Sequence, residues 1–264
     1  MQLAVNHSTT YRFDGPAGAL QELRLTPRAG AGQRIVEWSI DVDGGQHEVE
    51  FDDHHANRVH LVSLDPDTVE LTLRSSGIVE TSDTNGVIKG PRGHAPLWLY
   101  RRSTQLTEAG SLGGELLEGF EATADPVESM HLLSGHVLDA IAYEPGVTDA
   151  TTTAEAALAA GRGVCQDHSH VFLAAARELG MSARYVSGYL HMPDRDDQDA
   201  THAWCEVWIA DLGWVGFDVV NGISPDERYV RVAIGLDYRE AAPISGLRFG
   251  DAGETLDVSL HVQQ

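Results

Sequence analysis

The chain is 264 residues long and carries 18 Lys and Arg against 40 Asp and Glu, for a formal charge of −22, with Lys89 its one lysine. Such a surface repels a phosphate backbone and no basic cluster interrupts it, which excludes nucleic acid as a partner and leaves a mild bias toward neutral or cationic substrates. With no run of eighteen apolar residues, no basic and apolar leader in Met1–Phe13 and only two cysteines, the expected setting is cytoplasmic, with no membrane partner.

The first third of the chain reads as strands. Leu3, Val5, Tyr11 and Phe13 stand at alternate positions, and Val36-Trp38-Ile40-Val42, Val49-Phe51 and Val69-Leu71-Leu73 repeat the period of two, separated by turns at Gly44-Gly45 and Asp65-Pro66-Asp67. An antiparallel sheet or sandwich is expected, running into the polar, glycine-rich stretch from Ser82 to Gly93. The expected division is a β-rich domain over residues 1–90 and a second domain over 91–264.

Asp125-Pro126 opens a helix through Ile141, with Leu133, Val137, Ala140 and Ile141 on one face. Thr152 with Glu155 forms a capping-box pattern for a short helix ending at Gly161. Gly161 and Gly163 make a tight turn into the next helix, where Val164, Val171, Phe172, Ala175, Ala176 and Leu179 recur at helical spacing until Gly180 stops it. Strands follow over Ala183 to Leu190, Ala203 to Ile209, Gly213 to Phe217, Tyr229 to Ile234 and Leu256 to Val262. Helices followed by strands define an α+β domain.

Three residues in this second part suit one chemistry. Cys165 falls in the first turn of its helix, where free backbone N–H groups and the macrodipole favour a thiolate and offer oxyanion donors. His202 begins a strand in which Ala203, Cys205, Val207 and Ile209 alternate with Trp204, Glu206 and Trp208. Asp211-Leu212-Gly213 then turns the chain back as an antiparallel hairpin, which returns Asp218 toward His202. A thiol, an imidazole and a carboxylate in that order are the parts of a nucleophile, its base and the base's orienter.

The segment Gly163-Val164-Cys165-Gln166-Asp167, with Arg177, Gly180 and Ala183-Arg184-Tyr185-Val186-Ser187-Gly188-Tyr189, resembles the core of the bacterial transglutaminase-like superfamily. His202-Ala203-Trp204 and Gly213-Trp214-Val215-Gly216-Phe217-Asp218 are similar to that family's histidine and aspartate motifs. His7, Thr9 and Tyr11, Leu25-Thr26-Pro27 and Asp52 to Val59 resemble the β-rich region that precedes the core, and Gly235-Leu236-Asp237-Tyr238 with Pro243 and Gly246 its closing segment. The resemblance implies an N-terminal antiparallel β-sandwich-like domain followed by a papain-like core, with the nucleophile helix packed on an antiparallel sheet. It implies Cys165 as nucleophile, His202 as base and then acid, and Asp218 as orienter, with no cofactor. The chain departs from the family at His168, commonly aromatic or apolar, at Val219-Val220, usually Pro-Thr, and at Glu240, usually Asp; His168 and Val219 are thereby expected to alter the pocket wall.

The expected reaction is cleavage of a peptide or amide bond through a Cys165 thioester, with a peptide or protein as substrate. An amine in place of water would make the same site a transglutaminase, and a non-catalytic peptide-binding module is the rival class. Cys205 is expected to be a buried thiol, because strand alternation sends it to the face opposite His202. Asp167 is expected to point away from Cys165 and stabilise the first turn. No metal site is expected from Asp167, His168, His170, His191 and His202, since His168 and His170 diverge around a helix and no ligand-spacing motif occurs. Asp194 to Asp199 is expected to form an acidic loop at the mouth of the site.

Overall fold

A computed structural model describes residues 1–15, 18–65, 67–89, 95–108, 110–198, 200–249 and 253–264. Pro66 of the expected turn, residues 90–93 of the glycine-rich stretch and Asp199 of the acidic loop lie outside the described residues. The elements in chain order are β1 (Gln2–Phe13), β2 (Gly18–Thr26), β3 (Gln33–Asp43), β4 (Gly45–Asp52), β5 (Arg58–Leu64), β6 (Glu70–Thr81) and β7 (Val87–Ile88). There follow α1 (Gly110–Leu116), α2 (Pro126–Ala140), β8 (Ala142–Tyr143), α3 (Ala154–Ala160), β9 (Arg162–Gly163) and α4 (Cys165–Glu178). The chain closes with β10 (Ala183–Leu190), β11 (Asp197–Gln198), β12 (His202–Ile209), β13 (Gly213–Phe217), β14 (Tyr229–Gly235), α5 (Tyr238–Ala241), β15 (Ile244–Phe249) and β16 (Glu254–Gln263).

Two antiparallel sheets, β11-β16-β1-β6-β3 and β15-β2-β5-β4, form the sandwich. Their shared core is Phe13, Leu23, Leu25, Val62, Leu71 and Leu73. The third sheet, β14-β10-β12-β13-β7, carries α4 on one face. The architecture is therefore the expected α+β arrangement of a sandwich followed by a helix on an antiparallel sheet. Among the described residues no helix is long and apolar enough to cross a membrane.

Strand pairing cuts across the division at residue 90. β15 pairs with β2 and β16 with β1, so these two late strands complete the sandwich, while β7 joins the third sheet beside β13. Local alternation identifies a strand but carries no record of its partner, so β16 was expected only as a late strand, and β7 and β15 were not expected. The inner face of β1 serves both cores. Leu3 and Val5 pack with Tyr189, Val230 and Val232 of the third sheet, whereas Phe13 packs inside the sandwich. Between them His7 Nδ1 meets the Tyr189 hydroxyl at 3.1 Å and Thr9 Oγ1 meets His7 Nε2 at 3.3 Å. Burial holds His7 down at about 4, so this joint is a neutral hydrogen-bonded one.

β14 is an edge strand of its sheet, and two amides from the sandwich cover its free backbone groups. Gln33 accepts from the Arg231 N–H and donates to its carbonyl, both at 2.8 Å; Asn57 does the same for Ile234 at 2.8 and 2.7 Å. The turn holding Asn57 also sends His55 into the core, where its ring bonds the Tyr100 hydroxyl and the Glu240 carboxylate, each at 2.8 Å. Glu240, longer than the family's usual aspartate, accepts the Leu236 N–H at 2.7 Å with the same oxygen.

Local expectations hold with two shifts of phase. A bulge between Ile35 and Glu37 turns Val36 outward, and a second between His47 and Val49 leaves Val49 and Phe51 exposed on the edge strand β4. The cap of α3 is Thr153, whose hydroxyl accepts the Ala156 N–H; Thr152 instead accepts the Asp149 N–H in the preceding turn. Asp125 caps α2 and Gly180, at φ 79°, ends α4 as expected.

Candidate active site

The first turn of α4 is built around Gly163. A Cβ at that position would stand 2.6 Å from Asp167 Cβ and Oδ2, so glycine is required where Asp167 folds back over the turn. The Asp167 carboxylate accepts the Val164 N–H and the Thr148 hydroxyl, each at 2.7 Å. This agrees with the expected first-turn role and accounts for the spacing of Gly163, Cys165 and Asp167. Burial raises the Asp167 carboxyl above its ordinary value despite these donors. Cys165 is thereby fixed at the start of α4, half-buried.

His202 opens β12 directly opposite Gly188 of β10. A Cβ on Gly188 would meet the Val230 carbonyl oxygen at 2.1 Å and Trp204 at 2.7 Å, so the glycine makes room for the indole that lies beside the His202 ring. The hairpin β12–β13 pairs as far as Cys205 with Phe217 and then separates. One residue on, Asp218 reaches diagonally across to His202, with Oδ2 at 2.6 Å from Nε2.

Asp218 is fully buried and its carboxylate is well supplied with donors. Oδ2 also accepts the Tyr229 hydroxyl and Asn221 Nδ2, both at 2.7 Å, and Oδ1 accepts the Asn221 N–H at 3.2 Å. Burial pushes this carboxyl up, but these donors and the His202 charge outweigh it and hold it below the ordinary value. The imidazole moves the opposite way. Burial lowers His202, yet the Asp218 hydrogen bond and charge, together with a hydrogen bond and charge from Cys165, raise it to about 10. With Nε2 given to Asp218, Nδ1 is the ring nitrogen left for Cys165. The three residues singled out in the sequence are thus brought together.

Tyr229 was visible in the sequence only as the start of a strand. Its ring packs against both His202, with centroids 6.0 Å apart, and Trp204, at 5.4 Å, while its hydroxyl anchors Asp218. No local pattern announces such a residue, because its partners lie 11 to 27 positions away. Asn221, three residues after Asp218, is a short-range turn contact of the kind an Asp-x-x-Asn spacing allows.

The remaining histidines and the second thiol have separate partners. Cys205 is buried on the α4 side and donates to the Ser169 carbonyl at 3.4 Å; burial pushes its thiol well above the ordinary value. His168, expected in the pocket wall, is instead buried and faces the Val164 and Ile141 carbonyls at 2.8 and 2.9 Å. Val219 is buried in the hydrophobic core. His170 Nε2 accepts the Tyr238 N–H, and His191 faces the Val262 carbonyl. Asp167, His168, His170, His191 and His202 therefore do not converge on a common point. At the rim, Tyr143 lies near Cys165: burial and then the Cys165 charge push its phenol up, while Arg195, from the Asp194–Asp199 segment, opposes them.

A cysteine at the head of a helix, facing a histidine–aspartate pair on the neighbouring sheet, is an arrangement that activates a thiol, and the core of the chain matches the Transglutaminase-like superfamily, whose members are typically cysteine-dependent enzymes. That family's profile matches residues 115–219, and the Bacterial transglutaminase-like N-terminal region matches residues 3–80. Among its relatives are an uncharacterized protein of Mycobacterium leprae, 28% identical over 99% of this chain and 98% of that one, and one of Mycobacterium tuberculosis, 29% identical over 98% and 91%. The crystal structure of a candidate cysteine protease from Cytophaga hutchinsonii has the same fold, with a TM-score of 0.79 over 100% of this chain and 91% of that one, at 20% identity.

Proposed function

We propose that the protein cleaves a peptide or amide bond through a thioester on Cys165. The observation that carries this reading is the buried 2.6 Å contact of His202 with Asp218, in a ring whose other partner is Cys165 at the start of α4. A base held by a carboxylate and aimed at a thiol is the arrangement that makes a cysteine nucleophilic at neutral pH. The Cys165 thiolate attacks the carbonyl carbon, and the first-turn N–H groups of α4 receive the developing oxyanion. His202 then gives its proton to the departing amine, leaving the acyl group on sulfur. Water, deprotonated by His202, attacks the thioester and restores the thiol.

Profiling a panel of peptides and amides with the protein and with Cys165→Ala, each with and without an added primary amine, tests the proposal. Turnover is expected from the parent chain and not from the variant, with the carboxylic acid as product. Equal turnover by both chains would sink Cys165 as nucleophile. Product formed only with the amine would replace hydrolysis by amine transfer at the same thioester.

A further inference from the structure

Away from Cys165, two histidines and a carboxylate meet on one face of the β4–β5 pair. His47 Nε2 and His60 Nδ1 are 2.8 Å apart, and Glu50 Oε2 lies 3.9 Å from the same His60 nitrogen. A bulge creates the grouping. His47 pairs with Val62, but Val49 pairs with Leu61 and Glu50 with His60, so one extra residue enters β4 between His47 and Val49. On a regular strand residues three apart point to opposite faces; the extra residue puts His47 and Glu50 on the face that carries His60.

We infer that His47, Glu50 and His60 form a binding site for a divalent transition-metal ion of the zinc class. Two imidazole nitrogens and one carboxylate oxygen suit zinc, nickel or copper and do not suit calcium or magnesium, which take oxygen ligands. Two of the three donors are already oriented from behind. The far nitrogen of His60, Nε2, meets the Thr26 hydroxyl at 2.9 Å, which directs Nδ1 toward His47 and Glu50. Glu50 Oε1 is held by Arg58, which leaves Oε2 turned toward His60. Such outer contacts on both an imidazole and a carboxylate are what ligands of a bound metal carry. Tetrahedral zinc ligands stand about 3.3 Å apart, so His47 has to withdraw by roughly half an ångström. Its side chain is exposed on an edge strand and can do so. Water fills the remaining position, and the ion clips β4 to β5.

The other histidine–carboxylate group, His54, His55 and Glu240, differs in kind. Both nitrogens of His55 are committed, to Tyr100 and Glu240, in a joint between the sandwich and the core.

The test is calorimetric titration of Zn2+ into EDTA-treated, tag-free protein carrying Cys165→Ala, so that the thiol contributes no binding. One equivalent is expected to bind. His47→Gln, an exposed change that leaves the fold intact, should abolish it, and Thr26→Val should weaken it roughly 10-fold. His54→Gln should bind as the parent does. No stoichiometric binding by the parent, or unchanged binding by His47→Gln, overturns the inference; loss with His54→Gln alone moves the site to the other group and overturns it equally.

Discussion

Replacing Asp218 by Asn keeps the side chain's shape and removes the charge that holds the His202 imidazolium. The His202 value rises from an ordinary 6.5 to about 10, and at about 1.4 kcal/mol for each pH unit this difference is worth roughly 5 kcal/mol. A group whose value is raised by folding binds its proton more tightly in the native state. Its contribution is therefore complete below 6.5 and is lost as pH rises through about 10. Comparing Cys165→Ala with Cys165→Ala/Asp218→Asn leaves the thiol out, so that only the imidazole–carboxylate pair is read. Without Cys165 the imidazole loses its second supporting partner, which makes roughly 5 kcal/mol an upper limit for the loss across that window. Urea unfolding at several pH values between about 6 and 10 should show stability falling with pH when Asp218 is present and a much flatter curve when it is replaced. NMR of the His202 ring should show its titration moved down. Parallel stability curves, with the ring still titrating near the same pH, would refute the assignment of Asp218 as the charge that controls His202.

Two further outcomes follow from the packing around the pair. Gly188→Ala drives a methyl group against the Val230 carbonyl and Trp204, and should cost roughly 3 kcal/mol in urea unfolding and slow turnover by displacing the indole beside His202. Tyr229→Phe keeps the ring and removes one donor to Asp218, which should cost about 2 kcal/mol near neutral pH. Asp218 has a lowered value, so its contribution is present above the ordinary carboxyl range and lost as pH falls through the folded value. The difference between Tyr229→Phe and the parent, followed by urea unfolding, should accordingly shrink in acid.

The grouping of residues in the candidate site was legible because it depends on short-range signals. A glycine turn before a cysteine, a strand with two distinct faces and a three-residue hairpin loop each set local geometry within a few residues. Those are distances over which backbone sterics and side-chain period act directly. Cys205 could be separated from His202 on alternation alone, and the structure places its thiol on the α4 side. His168 was misread for the opposite reason. Helical phase puts it near Cys165, but its ring is taken up by the Val164 and Ile141 carbonyls, and Ile141 lies 27 residues earlier.

By itself, then, the sequence determined helices α2, α3 and α4, the strands β10, β12, β13, β14 and β16, and which thiol, imidazole and carboxylate could be grouped, because period and turn chemistry are local. Only the tertiary structure decided that β15 and β16 complete the sandwich, that Tyr229 anchors Asp218, and that a bulge in β4 gathers His47, Glu50 and His60. Each of these depends on which strand lies beside which and in what register, and a strand's own alternation is the same whichever neighbour it takes.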